Sequence, residues 1–145
     1  MSLLSSADQQ QLRESFAALV EPVTIVFFSQ AIGCETCGDT RQILREVTEL
    51  TDKVTVDEVS LVLEKDRAAA FGVERVPALV LLAGADKRDT RIRFLGAPEG
   101  WDFMALLDAI LLAGGAAEPA LSEQTVLRLG QMTEDVSVLV FVTPT

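Results

Sequence analysis

Two side chains of this sequence could do covalent chemistry, and they stand together. Cys34 and Cys37, in the stretch IGCETCG, are its only cysteines. Cysteines at C-x-x-C spacing serve one of three chemistries. As a structural staple they would close a very short loop, which removes only about 2 kcal/mol of chain entropy. As zinc ligands they would supply two of the four donors a structural site takes, with a second chain or carboxylates completing the shell. As a redox pair they need an exposed attacking sulfur and a second sulfur held back to resolve the mixed disulfide. Position favours the redox pair. The two cysteines follow an apolar strand and fall at the first turn of a predicted helix, where free N–H groups and the helix dipole favour a thiolate on Cys34. Cys37, one turn on, is expected to be buried. Glu35 opposes the effect, since an adjacent negative charge disfavours the thiolate, so the Cys34 pKa is expected to be only modestly lowered.

The elements that must hold this pair can be read from periodicity. Leu12, Phe16, Leu19 and Val20 recur at helical spacing after the capping residues that begin at Ser5, predicting a helix over 7–20. VTIVFF (23–28) is β-branched and aromatic without alternation, as in a strand buried on both faces. Ile43, Leu44, Val47 and Leu50 mark the inner face of a helix over 35–50. A strand over 53–60, a short helix over 65–71 and the strand ALVLLA (78–83) follow. RIRFLG (91–96) makes the return half of a hairpin after a turn over 84–89. Residues 101–113 form a helix with Phe103, Leu106, Leu107 and Ile110 inward, stopped by Gly114 and Gly115. This order describes an α/β fold with a central mixed sheet and helices on both faces.

Composition narrows the function classes. The chain has 145 residues, 12 basic against 22 acidic, with a net charge of −10. That balance argues against nucleic acid and anionic membrane surfaces as partners. Without histidine, Ser/His and Cys/His nucleophiles and most zinc and iron sites are excluded. Glycine-rich phosphate loops are absent, and no metal or organic cofactor is expected. The first residues lack the basic flank and apolar stretch of a signal peptide, and no window is apolar enough to span a bilayer. A cytoplasmic location is expected, where a lone disulfide works rather than staples.

Residues 1–117 are read as one unit and 118–145 as a linker, a helix from Ser122 to about Met132 and a strand over 136–142. This tail resembles the start of the chain: Glu21, Val23, Thr24, Ile25, Val26 and Phe28 recur as Glu134, Val136, Ser137, Val138, Leu139 and Phe141. The tail is thus expected to be the beginning of a second, truncated unit, and its apolar strand to seek a sheet, giving a homodimer or strand exchange.

CETC with ELTDKV behind it, a Val-Pro dipeptide, FLGAPEGWDF (94–103) and the tail VLVFVTPT occur in the order of a known family. In these pieces the chain resembles the thioredoxin and glutaredoxin superfamily. The closer likeness is to the N-terminal unit of the two-unit protein disulfide oxidoreductases of thermophilic prokaryotes, to which the N-terminal domain of the alkyl hydroperoxide reductase flavoprotein is related. The resemblance implies a thioredoxin-like three-layer fold and thiol–disulfide exchange on protein substrates, with Cys34 as nucleophile and Cys37 as resolving thiol. It implies a cis peptide before Pro77, a substrate shelf formed by Val76 and Pro77, and room for the substrate backbone at Gly96. The reductant would be a flavoprotein. An electron relay to a peroxidase, or a redox-sensing peptide-binding module, are the alternatives. The sequence departs from thioredoxins at Phe28, where they carry a buried aspartate, leaving Glu35, Asp39 and Asp57 as substitute proton acceptors. Gly33 replaces a tryptophan, and Trp101 stands where the closer family often has histidine and is read as a packing residue. Arg88, Asp89, Arg91 and Arg93 are read as a solvated edge.

Overall fold

The computed structural model describes residues 2–143. Strands β1 (Val23–Ser29), β2 (Val54–Ser60), β3 (Ala78–Ala83) and β4 (Arg88–Leu95) form one mixed sheet in the order β2-β1-β3-β4. β1 runs parallel to β2 and antiparallel to β3, and β3 and β4 form an antiparallel hairpin. The helices are α1 (Ser6–Ala17), α2 (Cys37–Thr48), α3 (Lys65–Ala70), α4 (Trp101–Ala113) and α5 (Glu123–Gly130).

Every residue of β1 and β3 is buried, as an unbroken apolar run requires when helices cover both faces. The period of two then sorts the side chains into two separate cores. Val23, Ile25, Phe27, Leu79 and Leu81 pack with Phe16 and Leu19, with Cys37, Leu44 and Val47 of α2, and with Leu106, Leu107 and Ile110 of α4. Val26, Phe28, Val80 and Leu82 face the other way, onto Ala68 of α3, Val59 and Val73. Three layers result.

α1 opens with a capping box. The N–H of Asp8 donates to the Ser5 hydroxyl, and the N–H of Ser5 donates back to the Asp8 carboxylate. The end of α1 is tied to the end of α4, because the N–H groups of Val20 and Glu21 both donate to the carbonyl of Gly114, at 2.9 and 3.0 Å. Gly114 is needed there for close approach: a Cβ would fall 2.3 Å from Leu19 Cδ2.

Three expectations are corrected. α2 begins at Cys37 rather than Glu35, since Glu35 and Thr36 form a turn leading into it. The charged hairpin is only partly solvated: Arg93 forms a paired hydrogen bond with Asp89 and lies over the Phe71 ring at 5.6 Å. The stretch expected as a strand over 136–142 is in no sheet. It lies exposed alongside β4, with Arg91 paired to Asp135 at 3.2 Å. A strand needs a partner ladder for its N–H and C=O groups, and among the described residues this stretch has none. Residues 144–145 of the tail motif lie outside the described residues.

Candidate redox site

Cys34 and Cys37 are joined in a disulfide with Cα atoms 5.5 Å apart. The loop that carries Cys34 leaves the end of β1, and Cys37 is the first residue of α2. Their environments differ. Cys37 is 3% exposed and packs among Phe27, Leu44 and Leu79, whereas Cys34 is half-buried at the edge of that core. The α2 cap residue Thr36 makes no side-chain capping bond, and the first backbone bond of the helix is Thr40 N–H to the Thr36 carbonyl at 3.0 Å. The N–H groups of the first turn are therefore not claimed by a side-chain cap, and they present partial positive charge beside the sulfurs. Thr40 is fully buried, its hydroxyl donating to the Thr36 carbonyl at 2.8 Å and fixing this turn.

The Val76–Pro77 peptide is cis. Pro77 is buried at the entrance to β3 and Val76 packs half-buried against both cores. The N–H of Gly96 donates to the Pro77 carbonyl at 2.9 Å, extending the β3–β4 ladder by one step. Gly96 has φ of 108°, a conformation that side chains disfavour, and a Cβ there would meet nothing within 4 Å. Among the described residues, no hydrogen bond engages the N–H or the carbonyl of Val76. The structure thus brings Pro77 and Gly96 together and leaves the peptide groups of Val76 free to pair.

A buried carboxylate is missing. Phe28 fills the position where a thioredoxin would hold one, edge-on to Phe71. Among the described residues the buried polar side chains are Thr24, Ser29 and Thr40. Asp57 is engaged elsewhere: it lies on β2 and pairs with Arg67 at 2.6 Å. Glu58 is likewise committed: the Arg41 guanidinium, against a smaller cost of burial, holds its carboxyl below the usual range, with help from the Ser29 hydroxyl. Glu35 and Asp39 are exposed on the helix approach and first turn. No group of three metal-ligating side chains is assembled among the described residues.

Trp101 corrects another expectation. It is 74% exposed at the first turn of α4, not packed. Ile32, two residues before Cys34, is also exposed. Their exposure has no sequence signature, because apolar residues at a loop and a helix start read equally well as core.

The strand order, the cysteine pair heading α2 and the cis proline heading β3 define a thioredoxin-like fold. Solved structures agree. The N-terminal domain of the alkylhydroperoxide reductase AhpF from Enterococcus faecalis matches with a TM-score of 0.75 at 29% identity, over 83% of this chain and 57% of that one. A protein disulfide oxidoreductase from Aeropyrum pernix matches with a TM-score of 0.72 at 27% identity, over 88% of this chain and 54% of that one. A thioredoxin from Halobacterium salinarum, at 19% identity, covers 79% of this chain and 89% of its own with a TM-score of 0.52, and shares the fold. No protein-family model matches, nor does any curated protein. The chain has the thioredoxin-like fold and spans little more than half the length of the first two structures.

Proposed function

We propose that this chain is a thiol–disulfide oxidoreductase acting on protein disulfides. The carrying observation is the asymmetry of the pair: one sulfur half-buried, the other shut into the core at the start of a helix. Cys34 is the nucleophile. Its thiolate attacks a substrate disulfide, one substrate sulfur leaves as a thiol, and Cys37 then attacks Cys34 to close the internal bridge and release the second. Val76 offers its free N–H and C=O to an extended substrate segment by strand addition, and Pro77 and Gly96 shape the shelf. Electrons are returned by a protein reductant, for which a flavoprotein is the best candidate. Among the described residues no helix is long and apolar enough to cross a membrane, and a cytoplasmic setting fits a working disulfide.

The likeness to the alkylhydroperoxide reductase AhpF favours a second reading, an electron relay from a flavoprotein to a peroxidase. Residues 118–145 are read as the start of a second unit, and Val138 and Phe141, both well exposed, are the residues through which a homodimer would form. The test is turnover of a disulfide-bonded protein with a dithiol reductant. Cys34→Ser is expected to abolish it, and Cys37→Ser to accumulate a mixed disulfide at Cys34. Turnover surviving Cys34→Ser would end the proposal. Peptide binding without turnover in the unmutated protein would replace it with a binding module.

A further inference from the structure

Beside the redox pair lies a second feature that thiol exchange does not need. Asp39, Gln42, Ile43 and Glu46 follow one another at helical spacing, so they form a single face of α2. Between this face and the start of α4 is a pocket of about 380 Å³, whose apolar wall is Leu3, Leu4, Ile43, Pro98 and Phe103. This is the size and lining of a small-ligand or side-chain site. Leu3 and Leu4 roof it, and the roof is fixed: the N–H groups of both donate to the Glu46 carboxylate, Leu3 at 2.7 Å and Leu4 at 3.1 Å.

One end of the pocket lining, at Asp39 in the first turn of α2, lies two residues from Cys37. Its lip is Pro98, Glu99 and Gly100. Pro98 is two residues from Gly96, which is bonded to Pro77, so at most about 7 Å of chain separates shelf and lip. Asp39, on the opposite lip, is in the same turn of α2 as Cys37. A polypeptide held at Cys34 therefore reaches the pocket within a few residues.

Charge selects the occupant. Asp39 and Glu99 face the pocket, are exposed, and neither carboxylate has an ion pair or hydrogen bond among the described residues. Among the described residues no cationic side chain lines the pocket. An anionic ligand would meet uncompensated repulsion there; an apolar side chain next to a lysine or arginine would fill the wall and pair with the rim.

We propose that this pocket is a client subsite, taking an apolar side chain flanked by a basic residue from the polypeptide whose cysteine meets Cys34. The inference rests on the redox reading and names the class of substrate it prefers.

The test uses the reduced protein and three peptides, each with one cysteine capped by mercaptoethanol and, a few residues away, Leu-Arg, Leu-Glu or Ser-Ser. Cys34 attacks the peptide sulfur and mercaptoethanol leaves. Cys37 then releases the peptide thiol as the internal disulfide forms, so two electrons pass from protein to substrate. Each rate is divided by that on the neutral bis(2-hydroxyethyl) disulfide, which cancels changes in the intrinsic chemistry. The Leu-Arg peptide is expected to exceed Ser-Ser by about tenfold, the scale of an apolar pocket contact. Asp39→Asn with Glu99→Gln should cut that advantage by about two- to fivefold, as should high salt. Equal normalised rates for the three peptides, or for Leu-Arg and Leu-Glu, would overturn the subsite. If the neutral disulfide is not reduced, the redox reading falls. Fluorescence anisotropy with the cysteine of each peptide replaced by serine then decides the pocket: tighter binding of Leu-Arg supports it, equal or absent binding ends it.

Discussion

Glu35 is the nearest charge to the reactive sulfur in sequence, and it has the wrong sign for a nucleophile. The uncapped start of α2 favours a thiolate, while a carboxylate one residue away disfavours it. Between neighbouring charges in contact with water such repulsion amounts to roughly half to one kcal/mol. Glu35→Gln is therefore expected to speed alkylation of reduced Cys34 at pH 7 by about two- to threefold, measured with iodoacetamide in a Cys37→Ser background. An unchanged rate would mean that Glu35 points away from the sulfur. The cysteine pair is legible in the sequence because its chemistry depends on local spacing and on an adjoining apolar strand. Asp57 is misleading because its partner, Arg67, comes from α3 and meets it only in the folded chain. Trp101 misleads for a related reason: residue type alone does not say which way the first turn of a helix faces.

Among the elements, β1, β3 and α4 are legible to within a residue, since uninterrupted β-branched runs and a long apolar period leave little choice. The start of α2 is not, because Glu35 and Thr36 suit a turn as well as a helix. The tail strand fails for a different reason: strand formation depends on a ladder partner that no local pattern records. The N-terminal segment is also silent, and its attachment to α2 is testable. Burial raises the Glu46 carboxyl, but hydrogen bonds from the Leu3 N–H, the Ser2 hydroxyl, Gln42 and the Leu4 N–H outweigh it and leave the pKa below its ordinary value of 4.5. A carboxylate with a depressed folded-state pKa stabilises the docked segment above its ordinary value, and that contribution is lost as pH falls through the folded one. Amide exchange of Leu3 and Leu4, corrected for intrinsic rates, is expected to lose protection as pH falls through the lowered Glu46 pKa, below 4.5, while that of β1 stays. Glu46→Gln should remove most of the protection at pH 7. Protection of Leu3 and Leu4 independent of pH and of this substitution would show that packing alone holds the segment.

At the scale of the molecule, the joint between α1 and α4 ties the start of β1 to the end of the last helix packed on the sheet. Gly114→Ala places a methyl group against Leu19 and near the Glu21 carbonyl and Val23. Overpacking of this kind typically costs about 1–3 kcal/mol, and a matching drop in denaturant midpoint with an unchanged slope is expected. A neutral effect would mean that the α1–β1 connection can shift freely. The three-layer plan itself is legible, because the order of strands and helices admits few topologies. The pocket beside the redox pair is not, since it is assembled from the N-terminal segment, α2 and α4, and cavities have no sequence period.

The same joint bears on how the chain folds as it is made. Val20 and Glu21 find their acceptor only when Gly114 has been synthesised. At elongation rates of about 5–20 residues per second, the end of α1 waits on the order of 5–20 s for its partner. During that interval Phe16 and Leu19, both buried in the finished fold, lack the α4 side chains that cover them. Phe16 and Leu19 thus stay without their α4 cover until Gly114 has emerged.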